Sequence, residues 1–233
     1  MSFDWQKNFD LLLDWIWPRN CEICGKEGDW CCQVCSEKIL QKKVIQVCPD
    51  CRKVSSQGKL CSKCCSKWEI DGLVIATQGN RDLEQLITSY KYNDLYRLDN
   101  ILADLYIHQI QDLKLKFDVV SFVPLAKSRL WWRGYNQSEL IAIILARKLH
   151  RELGHLLVRN KFTRPQVGLD KKDRLDNVRD VFAAGKEIKN CINKRVLLVD
   201  DVCTTMATLN ECALVLKNNG ALEVTGMVMA RGI

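Results

Sequence analysis

Continuous apolar runs alternate with amphipathic stretches from about residue 70 to the end of the chain. Runs with little polar alternation are typical of strands buried on both faces of a sheet, and they occur at 73–77, 119–124, 196–199 and 224–229. Apolar residues at helical spacing predict helices over 82–91, 98–108, 135–153 and 209–216. Residues 155–159 could begin a hairpin. The alternation predicts an α/β fold with a parallel sheet and right-handed connections.

The first twenty residues have a different pattern. Apolar side chains recur at roughly helical spacing and predict an amphipathic helix over 1–20, carried by Phe3, Phe9, Leu12, Leu13, Ile16 and Trp17. Asp4, Lys7, Asp10 and Asp14 interrupt this pattern, which argues against a secretory signal. We expect the helix to pack on the rest of the protein, with membrane-surface binding as the alternative. No apolar run approaches the ~20 residues that a membrane-spanning helix needs.

Cysteines are concentrated in residues 21–65, which hold ten of the thirteen in the chain. Eight form C-x-x-C pairs: Cys21/Cys24, Cys32/Cys35, Cys48/Cys51 and Cys61/Cys64. Each such pair can direct two sulfurs at one metal ion, and two pairs complete a tetrahedral thiolate site. The third and fourth pairs repeat the first and second after 27 and 29 residues. This imperfect repeat predicts two sites built from consecutive pairs, although interleaved pairing is also compatible with the spacing.

Zinc is the metal that these pairs indicate. Without an export signal we expect reduced thiols and a cytoplasmic protein, so paired cysteines favour metal over disulfides. Four thiolates leave no open position for substrate, which indicates a structural role. Cys31 and Cys65 could replace a neighbouring ligand. The formal charge of +7 falls to about +3 when two zinc ions bind eight thiolates, so total charge is a weak argument for nucleic-acid binding.

Two acids and a threonine-rich turn follow the apolar run 196–199. Asp200 and Asp201 would lie at the carboxyl end of a buried strand, where open α/β sheets bind their ligands. Carboxylates there can accept hydrogen bonds from sugar hydroxyls or hold hydrated magnesium. The following turn contains small residues and hydroxyl donors and leads into a helix, whose free N–H groups favour an anion. This order of residue types indicates a site for a phosphate monoester.

The segment VDDVCTTMAT resembles the phosphoribosyl pyrophosphate motif of type I phosphoribosyltransferases. The resemblance implies a phosphoribosyltransferase-like parallel sheet. It also implies that Asp200 and Asp201 contact the ribose hydroxyls, with magnesium, and that the loop holds the 5′-phosphate through Thr204, Thr205, Met206, Ala207 and Thr208. Met206 stands where that family usually has glycine, and a side chain there could restrict the backbone or crowd the phosphate. The alternative is that the acids merely end a strand.

Two further segments resemble competence protein ComF and its relatives. One is VPLAKSRLWWRGYNQ, and the other has the spacing of Thr163, Gln166, Leu169, Arg174, Asn177 and Phe182. In phosphoribosyltransferases the loop after the strand that corresponds to 119–124 binds pyrophosphate, so the resemblance implies this role for Lys127, Arg129 and Arg133. A solvated basic loop is the alternative. The segment 163–179 resembles the flexible hood of the same class, with hairpins and caps as the alternative for its polar residues. For Trp131 and Trp132 we expect burial; a lid, a partner-contact patch or a platform that stacks a nucleic-acid base are the other readings.

These observations together predict a three-part chain. The parts are an amphipathic helix at 1–20, a double zinc ribbon at 21–67 and a phosphoribosyltransferase-like domain at 70–233. The resemblance implies binding of phosphoribosyl pyrophosphate or a related sugar phosphate, and an association with DNA uptake in natural transformation. Enzyme activity as a glycosyltransferase stays open, with Asp200, Asp201 and Arg133 at its centre. The alternative is a non-catalytic module that binds single-stranded DNA or a competence helicase and uses the pocket as a sensor.

Overall fold

The computed structural model describes residues 19–40, 44–77, 81–92, 98–160, 180–203 and 205–231. Of Leu40, Lys91, Tyr92, Lys127 and Arg129 it describes the backbone alone. The predicted helix over 1–20, apart from its last two residues, and the predicted hood at 163–179 lie outside the described residues. Within them, no helix is both long enough and apolar enough to cross a bilayer.

Strands and helices alternate through most of the described chain. The strands are β1 (Gly72–Ile75), β2 (Val119–Phe122), β3 (Glu152–Leu153), β4 (Leu157–Arg159), β5 (Phe182–Ala184), β6 (Arg195–Cys203) and β7 (Glu223–Arg231). The helices are α1 (Gln33–Leu40), α2 (Arg81–Tyr92), α3 (Asp99–Asp112), α4 (Lys127–Arg133), α5 (Gln137–Lys148) and α6 (Ala207–Asn218). Short 3₁₀ turns occur at Ser56–Gly58, Cys65–Lys67 and Ile188–Cys191.

Five strands form a parallel sheet in the order β1-β7-β6-β2-β3. The central strand β6 pairs with β7 from Arg195 opposite Glu223 to Cys203 opposite Arg231. Its apolar residues 196–199 are almost fully buried, as the uninterrupted apolar run predicts. The predicted α/β fold with a parallel sheet is therefore confirmed. Strands β4 and β5 form a separate antiparallel hairpin.

Side chains of β6 alternate between two apolar clusters. Leu197 and Val199 belong to the cluster that contains residues of α2, α3 and α5. Val196 and Leu198 belong to the cluster that contains α6 and the β4–β5 hairpin. Successive side chains of a strand point to opposite faces, so helices cover both faces of the sheet.

The cysteine-rich segment packs against the sheet and its helices. Gln46 forms two hydrogen bonds with the backbone of Ile75, through Nε2 at 2.9 Å and Oε1 at 3.0 Å. Gly58 has a φ of +67°, and a Cβ there would lie 2.1 Å from the carbonyl oxygen of Leu73. Cys21, Cys31, Cys35 and Ile39 join the apolar cluster of α2 and α3. The segment is therefore packed onto the α/β domain through both of its halves.

Two local predictions were wrong. The helix predicted over 135–153 ends at Lys148, and Glu152 and Leu153 instead pair with β2 as an edge strand. The expected basic loop after β2 contains the seven-residue helix α4, which ends at Gly134 with a φ of +75°. Asn136 then begins α5: its side chain accepts a hydrogen bond from the backbone N–H of Ser138 at 3.2 Å.

Candidate functional site

The two predicted acids lie at the carboxyl edge of the parallel sheet, near the end of β6. Both side chains are half-buried. Oδ1 of Asp200 accepts a hydrogen bond from the hydroxyl of Ser138 at 3.1 Å and another from the backbone N–H of Asp201 at 2.9 Å. Oδ1 of Asp201 accepts one from the backbone N–H of Val202 at 2.5 Å. The carboxylates are thus held by the start of α5 and by the backbone of β6.

Two buried tyrosines interact with these acids. The hydroxyl of Tyr106 donates a hydrogen bond of 2.5 Å to the carbonyl oxygen of Asp200. Burial raises the pKa of Tyr106, and the charges of Asp201 and Asp200 raise it further. Burial also raises the pKa of Tyr90, with contributions from Asp99, Tyr135 and Asp201. Both phenols therefore stay neutral beside the acidic pair and can act as hydrogen-bond donors.

The turn after β6 leads directly into α6, a twelve-residue helix. Thr204 lies outside the described residues, while Thr205 and Thr208 are half-buried and Ala207 is the first helical residue. The turn is closed by Cys203, whose Sγ lies 3.1 Å from the carbonyl oxygen of Thr205. The first N–H groups of a helix lack partners within that helix, so this turn presents donors at the edge where the acids lie.

Met206 does not disturb this turn. Its φ of −74° lies in the ordinary right-handed region, so the backbone needs no glycine here. The side chain is 2% exposed and belongs to the apolar cluster with Cys203 and Leu209. It is therefore part of the core between β6 and α6 and does not line an open pocket.

The basic segment after β2 forms α4 and the start of α5. The backbone of Lys127 and Arg129 lies on α4, and the guanidinium of Arg133 donates from Nη1 to Oε1 of Gln137 at 3.4 Å. The expectation that the two tryptophans are buried was wrong: Trp131 is 88% exposed and Trp132 is 67% exposed. The short helix α4 presents them to solvent, and Lys127, Arg129 and Arg133 belong to the same helix.

A cavity of about 300 Å³ opens beside α4, at the carboxyl end of β2. Its walls are mostly apolar, and its polar side includes His155, whose Nδ1 lies 3.8 Å from Oε1 of Glu139. The acidic pair does not line it. The lining residues are Phe122, Pro124, Leu125, Leu130, Asn136, Glu139, His155, Leu157, Val158 and Lys186.

The cysteines form two compact groups of four, in the consecutive order that the repeat predicts. In each group, Cys21/Cys24/Cys32/Cys35 and Cys48/Cys51/Cys61/Cys64, the sulfur atoms all lie within 4.8 Å of one another. The Cys24–Cys32 and Cys51–Cys61 sulfur distances are both 3.7 Å. Zinc–sulfur bonds of about 2.3 Å give a tetrahedral edge of about 3.8 Å. Both groups could therefore hold zinc, and Cys31 and Cys65 belong to neither.

Backbone N–H groups stabilise the thiolate form of the first cysteine in each group, whereas the pKa of the last, Cys35 by burial and Cys64 by its hydrogen bond with Asp50, is raised. Burial raises the pKa of Cys21, but hydrogen bonds from nearby backbone N–H groups, that of Cys32 first, outweigh it and lower the pKa to about 6. The same balance lowers the pKa of Cys48 to about 6. Because the thiolate is the form that binds metal, this environment suits a metal ligand.

Several residues of the site were not predicted from the sequence. Ser138 and Tyr106 come from helices distant in sequence from Asp200, and neither belongs to a motif. For Ser138 the only signal in the sequence is its position in the first turn of α5, two residues after the N-cap residue Asn136. Thr77 and Arg231, which carry buried polar atoms at the ends of β1 and β7, were also missed.

No family model matches this chain. Its sequence is 32% identical to competence protein F of Haemophilus influenzae over 210 residues, which cover 86% of this chain and 90% of that protein. It is 29% identical to the DNA utilization protein YhgH of Escherichia coli K12, and the match covers 92% of this chain and 97% of that protein. It is 27% identical to competence protein ComFC of Streptococcus pneumoniae, covering 79% and 80%.

Matches to solved structures are more partial. A glutamine phosphoribosylpyrophosphate amidotransferase from B. subtilis matches with a TM-score of 0.38 and 22% identity, covering 64% of this chain and 28% of that one. An adenine phosphoribosyltransferase from Thermoanaerobacter pseudethanolicus matches with a TM-score of 0.37 and 13% identity, covering 59% and 83%. The sequence match to competence protein F extends over most of both chains, and on that basis this chain belongs to the competence protein F family.

Proposed function

We propose that this chain binds phosphoribosyl pyrophosphate, or a related sugar phosphate, together with magnesium at the carboxyl edge of β6. One observation carries the proposal. The paired acids Asp200 and Asp201 lie near the carboxyl end of the central strand of a parallel sheet, which runs to Cys203, and a threonine-containing turn then leads into α6. In such sheets ligands bind outside the carboxyl ends of the strands, and a helix start is a suitable site for phosphate.

Each part of such a ligand has suitable partners. The carboxylates of Asp200 and Asp201 can accept hydrogen bonds from the ribose hydroxyls, and carboxylate oxygens are ligands that suit magnesium. The turn, with Thr204, Thr205 and Thr208, offers donors for the 5′-phosphate. Lys127, Arg129 and Arg133 supply positive charge for the pyrophosphate, because arginine can bind two phosphate oxygens at once.

The same arrangement would serve a transferase. Magnesium would neutralise part of the pyrophosphate charge, and the basic residues of α4 would hold the departing group. Asp200 and Asp201 would fix the ribose so that the anomeric carbon faces an entering nucleophile, which is a contribution of positioning and not of proton transfer.

Calorimetric titration with phosphoribosyl pyrophosphate and magnesium tests the proposal. We expect the wild type to bind and the Asp200→Asn/Asp201→Asn variant to lose at least tenfold in affinity. Asp112→Asn is the matched control, because Asp112 is an exposed carboxylate at the end of α3, and we expect it to bind normally. Equal affinity of the double variant and the wild type would overturn the proposal.

We also propose that the protein acts on DNA during uptake, since the relatives are named for competence and DNA utilization. The exposed tryptophans favour a second candidate function, binding of single-stranded DNA on α4. Exposed aromatic rings beside basic side chains can stack bases while the cations contact phosphates.

Fluorescence anisotropy with labelled oligothymidylate tests this second function. We expect Trp131→Leu/Trp132→Leu to weaken binding at least tenfold, because leucine keeps an apolar surface but cannot stack. The matched variant Trp131→Phe/Trp132→Phe should retain most of the affinity. If the leucine variant binds as the wild type does, α4 is not a DNA-binding surface.

A further inference from the structure

The second cysteine group lies at the same edge of the sheet as the acidic pair. Gln46 pairs with the backbone of Ile75 at the end of β1. Beyond that point β1 still follows β7, because the N–H groups of Ala76 and Thr77 donate to the carbonyls of Val228 and Met229 at 2.8 and 3.0 Å. The residues that follow Gln46 are therefore placed beside the carboxyl ends of β1 and β7.

Buried hydrogen-bond donors without partners lie where the carboxyl ends of β1 and β7 meet, and we call this region the corner. Nε and Nη1 of Arg231, the last residue of β7, are buried and have no hydrogen-bond partner among the described residues. The hydroxyl of Thr77 is also buried and unpaired there, and Thr77 is 2% exposed. Buried donors without acceptors are costly, and nearly all such groups in folded proteins are paired. Within the described part of the chain, no acceptor pairs with these donors.

The charges around Arg231 are mixed. It interacts electrostatically with Arg52, Asp50, Cys48 and Cys203. Asp50 is already engaged, because its carboxylate lies 3.4 Å from Nζ of Lys67. Burial raises the pKa of Cys203 to about 12, while the positive charges of Arg231 and Arg52 act in the opposite direction. The charges of both arginines therefore act on Cys203, the last residue of β6 before the turn, and the register pairs Arg231 directly with Cys203.

The strand order places this corner opposite the basic segment. In the order β1-β7-β6-β2-β3, α4 follows β2 on one side of β6, while Arg231 and Thr77 lie on the other side. A sugar phosphate at the end of β6 would direct its pyrophosphate toward α4. When substitution at a sugar carbon proceeds with inversion, the entering group approaches from the face opposite the departing one.

We infer that Arg231, Arg52 and Thr77 form a subsite for the anionic group, a carboxylate or a phosphoryl group, of a second ligand that lies beside the sugar phosphate. The inference rests on the proposed function for the position of the first ligand. It assigns the cysteine-rich segment a direct part in ligand binding, because Arg52 directly follows the metal-ligand candidate Cys51. The second ligand is an anionic acceptor or the phosphate of an adjoining nucleotide.

Calorimetry with matched pairs of ligands tests the subsite, in the presence of ribose 5-phosphate and magnesium. A comparison of orotate with uracil tests whether the subsite binds a carboxylate. A comparison of 5′-phosphorylated with unphosphorylated dithymidylate tests whether it binds a phosphoryl group. We expect at least one anionic member to bind tenfold more tightly than its neutral partner, and Arg231→Gln to abolish that difference. Arg52→Gln, at an exposed position, should reduce the difference without affecting folding, and the zinc content of each variant should equal that of the wild type.

Each outcome bears on the subsite. Equal binding of charged and neutral partners, no binding of any of the four, or an unchanged preference in both arginine variants would overturn it. Loss of zinc in Arg231→Gln with an unchanged preference in Arg52→Gln would show that the arginines serve the metal group instead. An anion preference in a protein that fails to bind ribose 5-phosphate would support the subsite and refute the proposed function.

Discussion

The hydroxyl of Ser138 donates a hydrogen bond of 3.1 Å to Oδ1 of Asp200, and this bond joins the first turn of α5 to the end of β6. α5 follows the basic segment of α4, so the bond links the two halves of the proposed ligand site. A carboxylate fixed in this way keeps one orientation for a ligand, which reduces the entropic cost of binding.

Removal of this bond should weaken ligand binding. A hydrogen bond to a charged group contributes about 1.5 kcal/mol or more, so Ser138→Ala should raise the Kd for phosphoribosyl pyrophosphate with magnesium about tenfold. Ser138→Thr keeps the hydroxyl and should restore most of the affinity. Calorimetric titration of both variants provides the measurement. Equal affinities of the alanine variant and the wild type would show that Ser138 does not position Asp200.

The buried hydroxyl of Tyr106 should stabilise the fold. It donates to the backbone carbonyl of Asp200, and Tyr106→Phe would leave that carbonyl without this donor. We expect the free energy of unfolding to fall by about 1 to 2 kcal/mol, since a lost hydrogen bond to a buried group costs this much. Urea unfolding followed by circular dichroism measures the difference, and an unchanged midpoint would contradict the role assigned to this bond.

The close approach of Gly58 to Leu73 provides a test of how the cysteine-rich segment is attached. Gly58→Ala places a Cβ where only 2.1 Å separates it from a carbonyl oxygen, whereas Gly25→Ala, at a φ of +74°, meets nothing within 4 Å. Both changes carry the strain of a positive φ, about 1 kcal/mol. We expect Gly58→Ala to lower the free energy of unfolding by at least about 2 kcal/mol more than Gly25→Ala does. Thermal or urea unfolding of the two variants measures this difference. Equal losses would contradict the close packing of Gly58 on β1.

The number of zinc ions bound per chain should equal the number of intact cysteine groups. We expect two zinc ions per chain in the wild type and one in Cys48→Ser, because three thiolates and a hydroxyl bind zinc poorly. Cys65→Ser is the matched control, since Cys65 is exposed, belongs to neither group and contacts the carbonyl of Ser62. Mass spectrometry under native conditions counts the ions. A wild type without zinc, or a loss in Cys65→Ser equal to that in Cys48→Ser, would refute the assignment.

The ion pair of Asp118 and Arg195 predicts a pH dependence of stability. Asp118 accepts from the backbone N–H, Nε and Nη2 of Arg195 at 2.9, 3.0 and 2.7 Å. These hydrogen bonds, from the guanidinium first, lower the pKa of Asp118 from 3.8 to about 2. A pKa that is lower in the folded state stabilises the fold above pH 3.8, and this stabilisation is lost as the pH falls toward 2.

Asp118→Asn should therefore be less stable than the wild type at pH 7 and about as stable near pH 2. The pair is partly exposed, with side-chain exposures of 36% and 35%, so we expect a difference of about 1 kcal/mol or less at pH 7. Urea unfolding of both proteins across this pH range provides the measurement. A difference in stability that grows on acidification would contradict a stabilising role of the ionised Asp118 carboxylate.

Local sequence patterns predicted those parts of the structure that depend on neighbouring residues. The run 196–199 is uninterrupted because helices cover both faces of β6, and C-x-x-C spacing reflects the geometry of one turn around a metal. Exposure of Trp131 and Trp132 could not be predicted in this way, because it depends on how the short helix α4 is oriented. Arg231 and Thr77 lie at the ends of neighbouring strands only because of the order of the strands, which local patterns do not encode.

Phosphorus NMR of phosphoribosyl pyrophosphate tests most directly whether the edge at Asp200 and Asp201 is a sugar-phosphate site. With magnesium and the wild-type protein, we predict that the resonance of the 5′-phosphate shifts or broadens as protein is added. With Asp200→Asn/Asp201→Asn at the same concentration, that resonance should stay at its position in free solution. An unperturbed spectrum with the wild type, or equal perturbation by both proteins, would contradict the account.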